Sequence, residues 1–316
     1  MKEITIHTED TPQRLDKYLR RLFPQAAGGF LYKMLRKKNI TLNGHKATGK
    51  ERLAPGDVVT VWFSDVTFQT LSGTDASGRA YERLASMPND LSVLYEERDF
   101  ILLHKPPGIL TQKARGADCS LNERFLSYLI ANNTLTEEQL RHYRPSVMNR
   151  LDRGTSGIVL AAKTLSGAQS LSEWISTGLL KKEYRCLVHG YFEIDESVVF
   201  FWKKNEEKNT VNLRETPANG YLPIETRFCT VNACEYWSLL EAVLVTGKSH
   251  QIRASLSALN HPIVLDGKYG DPRKDIRLCG SLSYPGHFLH AWRITLPDGR
   301  VFTDPMPQEF EAVMAQ

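Results

Sequence analysis

Cysteine is scarce in this chain, with five in 316 residues, at positions 119, 186, 229, 234 and 279. An odd, scattered set without a CxxC pair supports neither a disulfide framework nor structural zinc, and it fits a reducing compartment. Long apolar runs are missing too. No stretch reaches the ~18 consecutive apolar residues of a membrane helix, so no membrane partner is expected. The first ten residues have no apolar core behind a basic start, which reads as the absence of a secretory signal and a cytoplasmic location. The chain also lacks an HExxH pair, a P-loop and a dinucleotide-binding glycine fingerprint. What is present is ordinary for a globular protein: 41% hydrophobic, 24% charged and 9% aromatic residues. The length suggests about two domains, at roughly 150 residues each.

Charge is nearly balanced overall, at +4, but unevenly placed. Residues 12–52 hold 11 Lys and Arg against 2 Asp and Glu. Such a local excess attracts a polyanion. Taken alone, it could equally be a solvated basic face.

The N-terminal segment has its own punctuation. Thr11-Pro12 offers a helix start, Leu15, Tyr18, Leu19 and Leu22 follow at helical spacing, and Pro24 stops the run. A second amphipathic helix follows Gly28-Gly29, with Leu31, Met34 and Leu35 on one face and Lys33, Arg36, Lys37 and Lys38 on the other. Strands are expected at 40–42, before an Asn-Gly turn, and at 57–63. This gives a small N-terminal α/β unit over residues 1–65. Residues 66–90, rich in Ser, Thr, Gly, Asp and Asn, read as a linker. Residues 91–316 alternate strands and helices without a repeated βα period. The expected class is therefore α+β, with a mixed, largely antiparallel central sheet and flanking helices. Strands are expected at 93–96, 100–104, 147–151, 157–162, 184–189 and 236–245, and helices at 121–131, 165–176 and 250–259.

The most informative stretch is Asn149-Arg150-Leu151-Asp152-Arg153-Gly154-Thr155-Ser156-Gly157, a hydroxyl- and glycine-rich loop between two apolar runs. Its glycines permit close approach of backbone to a ligand, and Arg150 and Arg153 flank Asp152 with positive charge. That suits a nucleophile or general base. An aspartate in such a loop can also do no more than close a turn. Further on, Gly247-Lys248-Ser249-His250-Gln251-Ile252-Arg253 gathers donors at a helix start, where an anion is favoured, and Arg253 could pair with a buried carboxylate. An ordinary amphipathic helix start reads the same way. Tyr184, in the apolar strand after Lys182-Glu183, is either a platform for a stacked base or a buried strand tyrosine.

Together these segments resemble the RluA-type RNA pseudouridine synthase family over nearly the whole chain. The resemblance rests on five ordered blocks: His104-Lys105-Pro106-Pro107-Gly108, Arg150-Leu151-Asp152 through Thr155-Ser156-Gly157, Lys182 through Gly190, His250-Gln251-Ile252-Arg253, and Leu289-His290-Ala291. The N-terminal unit is similar to the S-four-type RNA-binding domain, through Arg14-Leu15-Asp16-Lys17 and Leu42-Asn43-Gly44. Three positions depart from the commonest pattern: Asn149 where His is frequent, Gly154 where an acidic residue is frequent, and Lys248-Ser249 where Arg-Thr is frequent.

The resemblance implies an isomerase that converts uridine to pseudouridine in structured RNA, with large-subunit ribosomal RNA the first substrate, through the S-four-type unit, and transfer RNA the second. Asp152 would be the catalytic carboxylate, Tyr184 the stacking and proton-handling residue, and Arg253 the ionic partner of Asp152. Arg150 would enter the helix as the uridine leaves, with Arg153, Thr155, His250 and Gln251 also contacting substrate. Arg14, Lys17, Lys33, Arg36, Lys37 and Lys38 would bind RNA in the N-terminal unit. The reaction breaks the N1–C1′ bond, turns the uracil and rejoins it through C5, so it calls for neither a metal nor an organic cofactor. A monomer is expected. A competing expectation is a ribosome-assembly or RNA-binding factor whose synthase site is vestigial. Metal-dependent hydrolysis would need clustered carboxylates that this loop lacks, and His287 and His290, read as strand residues three apart, would face opposite ways instead of sharing a zinc.

Overall fold

The computed structural model describes residues 1–114, 118–280 and 282–315. Strand β1 (Lys2–Thr5) is followed by helices α1 (Leu15–Leu22) and α2 (Gly28–Arg36) and strands β2 (Ile40–Leu42), β3 (His45–Lys46) and β4 (Val58–Val61). The four strands form an antiparallel sheet in the order β1-β4-β2-β3. Leu15, Tyr18 and Leu19 of α1 and Leu31, Met34 and Leu35 of α2 share a core with Ile40, Val59 and Val61. The apolar stripes expected from the spacing are thus the buried ones. The first helix begins at Leu15, with Thr11 and Pro12 outside it.

The expectation of a linker over 66–90 is corrected. Helices α3 (Asp65–Ser72) and α4 (Thr74–Ala85) occupy most of that stretch. Ser64 caps α3 by accepting from the Thr67 N–H, and Gly73, in the left-handed conformation, separates the two helices. Phe68 and Leu71 of α3 pack on the N-terminal core, whereas Leu84 of α4 is buried in the larger one. The switch from one core to the other therefore falls at Gly73. Polar, small-residue composition hid two short helices whose apolar residues are few but well spaced.

The rest of the chain runs β5 (Ser92–Glu96), β6 (Phe100–Lys105), α5 (Leu121–Ala131), α6 (Glu137–His142), β7 (Ser146–Val147), β8 (Ser156–Ala162), α7 (Leu165–Ser176) and β9 (Lys181–His189). It continues through β10 (Asp195–Asn205), β11 (Thr210–Arg214), β12 (Leu222–Ala233), β13 (Trp237–Leu244), α8 (Gln251–Ala258), α9 (Pro272–Cys279), β14 (Leu289–Thr295), β15 (Val301–Thr303) and α10 (Gln308–Met314). One sheet runs in the order β11-β10-β12-β13-β9-β14-β8-β6-β5, with β15 on β14 and β7 on β8. Among the described strand pairs only β14 and β8 run parallel. The α+β class with a mixed, largely antiparallel sheet is what the structure shows.

Strands β6 and β8 lie where both faces are covered. Ile101, Leu103, Val159 and Ala161 point into one core with α5, and Phe100, Leu102, Ile158 and Leu160 point into another beneath α7. Hence all seven residues of β8 are buried, and each large apolar side chain contributes roughly 1.5–3 kcal/mol. The strand expected over 147–151 shrinks to Ser146–Val147. Thr111 accounts for part of this: its hydroxyl donates to the Leu151 carbonyl at 2.7 Å and accepts the Leu151 N–H at 3.1 Å. Those bonds take the place of ladder partners and hold residues 150–155 as a loop over the sheet.

Candidate active site

Asp152 sits in that loop at the floor of a cleft of about 830 Å³, its side chain 28% exposed. Residues from well-separated parts of the chain line the cleft, among them Arg150, Tyr184, Lys182, Lys248, His250, Arg253 and Lys268. The parallel junction of β14 and β8 fixes the loop's end. Gly157 has φ +113° and pairs with Ala291 so closely that a Cβ would collide with the Ala291 backbone. Only glycine fits there.

Arg253, on the first turn of α8, is the central cation. Its Nη1 donates to Oδ2 of Asp152 at 2.7 Å, while Nε and Nη2 donate to the two oxygens of Asp266, each at 2.7 Å. Burial disfavours the guanidinium charge, but the hydrogen bonds and charges of Asp266 and Asp152 outweigh it and push the Arg253 pKa up. Asp266 is fully buried. Burial alone would raise its pKa, yet Arg253 holds it below the ordinary carboxylate value. Tyr184, on β9, is buried in the cleft wall, and its phenol is pushed up by burial and by the charge of Asp152, so it stays protonated.

Beneath the loop lies Lys105, fully buried at the end of β6. Its ammonium donates to the carbonyls of Pro106, Ile109 and Arg153 at 2.9, 2.8 and 3.2 Å. Burial pulls its pKa down to about 7, against the charge of Asp152. The residue pins the loop from below.

A sequence profile for the family described as RNA pseudouridylate synthase matches residues 99–258. The chain belongs to that family. Ribosomal large subunit pseudouridine synthase C of Pasteurella multocida is 30% identical over 305 residues, covering 93% of this chain and 85% of that protein. The protein of the same name from Haemophilus influenzae is 30% identical over 301 residues, covering 93% and 86%. A solved structure titled Human RNA Pseudouridylate Synthase Domain Containing 4 superposes with a TM-score of 0.58 at 17% identity, over 77% of this chain and 95% of that one; it shares the fold. This chain is an RNA pseudouridine synthase, an isomerase that acts on RNA.

Placed in the synthase cleft, the residues singled out from sequence divide into two groups. Asp152, Tyr184, Arg253 and His250 come together as expected, and Arg150 is exposed at the rim. Gln251 and Thr155, two expected substrate contacts, line the cleft but make their side-chain hydrogen bonds inside the protein. Gln251 is buried, its amide nitrogen donating to Glu225 O and Thr226 Oγ1 and its oxygen accepting from Thr246 Oγ1 and Lys248 N. It closes the 246–249 loop and has nothing left to offer a ligand. Thr155, also buried, gives its hydroxyl to a 2.7 Å contact with Nε2 of His287. Arg153 turns away from Asp152 to donate to the Gly108 carbonyl at 3.1 Å, so the positive neighbour of Asp152 is Arg253.

Two of the three departures from the family pattern, Asn149 and Gly154, have local reasons, and nothing in the structure explains Lys248-Ser249. Asn149 bridges to β8, accepting the Leu160 N–H at 2.7 Å. At Gly154 a Cβ would lie 2.7 Å from His287 Nδ1, which leaves no room for an acidic side chain. His287 precedes β14 instead of lying in it, and it bonds Thr155 while His290 bonds Ser156. Among the described residues no group of three His, Cys, Asp or Glu could hold a metal ion, and no helix is long and apolar enough to cross a membrane.

Asp266 and Tyr269 are marked by no motif in the sequence, and Lys105 stands in the first of the five blocks without a role that its position there reveals. Asp266 follows Leu265, which has φ +58°, in a segment without helical or strand periodicity. Only knowledge of what Arg253 touches could have found it. In the N-terminal unit Arg14, Lys17, Lys33, Arg36, Lys37 and Lys38 are all exposed. Arg14 is paired with Asp16, Nε to Oδ1 at 3.0 Å, and Asp16 also accepts from the Tyr32 hydroxyl at 2.9 Å.

Proposed function

We propose that the chain modifies uridines of large-subunit ribosomal RNA, with Asp152 as the catalytic carboxylate. The observation that carries the reading is the triad of Asp152, Arg253 and Asp266, which holds one oxygen of the Asp152 carboxylate in place in a cleft of about 830 Å³. A vestigial site would have no reason to keep two buried charges around that carboxylate, because burying ions costs several kcal/mol each. The curated relatives' names point to ribosomal RNA as the substrate, which would be met in the cytoplasm. Transfer RNA is the second candidate.

In this mechanism the target uridine is flipped out of its helix, at a cost of a few kcal/mol, and exposed Arg150 fills the space it leaves. Tyr184 stacks on the uracil as a neutral phenol. Asp152 acts on the uridine while the N1–C1′ bond breaks; the enclosed ring turns and rejoins through C5, which then loses its proton while N1 takes one up. Lys182, Lys248 and Lys268 line the same cleft and supply positive charge for the flanking phosphates. The exposed cations of the N-terminal unit add affinity and register. The chain acts as a monomer in this reading.

The test is a map of pseudouridine in cellular RNA from strains with and without the protein, and from a strain carrying only Asp152→Asn. Specific large-subunit sites should disappear without the protein and stay absent with the variant, while the variant still binds the RNA. Lost sites confined to transfer RNA would change the substrate. Sites restored by Asp152→Asn would overturn the catalytic assignment.

A further inference from the structure

Asp152 has two carboxylate oxygens, and Arg253 engages only Oδ2. Oδ1 faces Nε2 of His250 at 3.8 Å, beyond hydrogen-bond length. On the other side of the same ring, Nδ1 lies 2.8 Å from the hydroxyl of Tyr269. That hydroxyl oxygen already accepts the Val211 backbone N–H at 2.9 Å. A tyrosine hydroxyl has one proton to donate, and His250 Nδ1 is the acceptor placed to receive it. The reverse arrangement, with Nδ1–H donating, would leave the hydroxyl proton without an acceptor among the described residues. A ring nitrogen that accepts leaves the single proton of neutral imidazole on the other nitrogen. That nitrogen is Nε2, the one facing Asp152.

We propose that Tyr269 and His250 are a positioning pair for the catalytic carboxylate: Tyr269 fixes His250 as its Nε2–H form, and His250 then donates to Oδ1 of Asp152 when RNA closes the cleft. The proposal rests on Asp152 being the catalytic group. Closure need bring the two atoms together by only roughly 0.6–1 Å. His250 stands at the N-cap position of α8 in a left-handed backbone conformation at φ +56°, and no side-chain cap bond ties its ring to the helix.

Tyr269 serves both donors of Asp152. Its ring meets the His250 ring edge-on, with centroids 5.6 Å apart, and lies 5.2 Å from the guanidinium carbon of Arg253. The charged and titratable groups around His250 are Asp152, Arg253, Lys268, Asp266 and Tyr269. Burial holds the imidazole below its ordinary pKa, with Arg253 and Lys268 acting in the same direction and Asp152 and Asp266 against it. The ring is therefore neutral near pH 7. One charged donor on Oδ2 and one neutral donor on Oδ1 would fix the plane of the carboxylate without adding a second positive charge beside it.

The experiment compares the full-length parent with His250→Ala, His250→Gln, Tyr269→Phe and Asp152→Asn. The substrate is ribosomal RNA from a strain lacking the protein, with enzyme in excess, from about pH 5 to about pH 8, a range that spans histidine titration. Apparent RNA affinity and melting temperature are measured alongside. His250→Ala should slow pseudouridine formation by roughly ten- to a hundredfold, the scale of a missing hydrogen bond to a charged group, with affinity for RNA kept. Gln restores an N–H donor, so it should recover most of that rate; protonation of His250 keeps Nε2–H but adds a charge beside Asp152, and the Gln profile should lack that step on the acid limb. Tyr269→Phe should fall between parent and His250→Ala and alter the acid limb. A parental rate for His250→Ala, a Gln variant as slow as the Ala variant, or an unchanged rate and pH profile for Tyr269→Phe would each overturn the proposal. If Tyr269→Phe fails to fold, the Ala and Gln comparison still decides the donor role. Turnover by Asp152→Asn would instead remove the assignment on which the pair depends.

Discussion

Asp152 and Asp266 lie on opposite sides of one guanidinium, Asp266 taking Nε and Nη2 of Arg253 and Asp152 taking Nη1, all at 2.7 Å. The geometry is that of a fork held from behind so that its free tine meets the reacting group. A lysine has one charged nitrogen and cannot grip a carboxylate in two places while reaching a second. Arg253→Ala should abolish activity and lower stability by about 3–5 kcal/mol, because two carboxylates lose their partner and one of them is fully buried. Arg253→Lys should keep part of the stability but little of the rate. Chemical denaturation and single-turnover assays on the three proteins check both statements, and an Arg253→Ala protein as active and as stable as the parent would show that the triad has no function.

Asp266 touches no substrate in this arrangement, so its effect should pass through Arg253. In Asp266→Asn the amide keeps the shape and one acceptor but loses the charge and turns an acceptor into a donor aimed at a cation. The rate should fall by about tenfold or more, the scale of one hydrogen bond to a charged group, with the KM for RNA little changed. A fall in RNA affinity with an unchanged maximal rate would assign Asp266 to RNA binding instead.

What could be read ahead of the structure follows from how each residue acts. Leu121–Ala131 and Leu165–Ser176 are helices at the expected bounds because each combines a Ser or Thr before the first turn with apolar residues at helical spacing. Asp152, Tyr184 and Arg253 were legible through motif order. Asp266 was not, because its role depends on one tertiary contact and leaves no periodic trace. Gln251 and Thr155 stand in motifs that suggested ligand contacts, yet each spends its polar atoms inside the protein. Polarity in a motif does not say whether the partner is substrate or backbone. Residues 66–90 failed for a different reason, since α3 only half-buries Phe68 and Leu71 and α4 buries Leu84, and their small polar residues resemble a flexible tether.

The buried histidines set the response to acid. His287 sits beside Arg253 and Thr155, and burial, with the charges of Arg253 and Lys105, holds its pKa down at about 4. Unfolded, the same side chain titrates near 6.5. Between these values the unfolded chain binds a proton that the folded one refuses, so stability falls as pH drops from about 6.5 toward 4. His189, His250 and His290 are shifted the same way, each chiefly by burial. The contribution of His287 alone is on the order of 3 kcal/mol across that window. Denaturant titrations at several pH values should show the decline, and His287→Asn should make it shallower. A midpoint that does not move between about pH 6.5 and pH 4 would mean that these histidines are protonated in the fold.

The N-terminal unit and the cleft should separate experimentally, and the structure says where to cut. Phe68 and Leu71 belong to the N-terminal core and Leu84 to the larger one, so a deletion ending at Asp65 would strip α3 of its support, whereas one ending at Gly73 keeps each core whole. The small unit also touches the body of the enzyme, where Gln169 Nε2 donates to the Pro12 carbonyl at 2.6 Å. Helix α1 also packs on α6, and residues 8–10 on α7, so the truncation uncovers those faces and its melting temperature is read beside its activity. Removing residues 1–73 should weaken binding to a large structured RNA and flatten its salt dependence, while slow pseudouridine formation persists at high concentration, because phosphate contacts supply affinity and register and the cleft supplies chemistry. Replacing the exposed Arg36, Lys37 and Lys38 with alanine should act in the same direction more weakly, lowering the magnitude of the log–log salt slope by up to ~0.7–0.9 for each phosphate that is no longer neutralised. Binding titrations at several salt concentrations, run beside single-turnover assays, measure both effects. Equal slopes for the parent, the truncation and the triple variant would mean that RNA never meets this face, and that its charge serves only to keep the surface solvated.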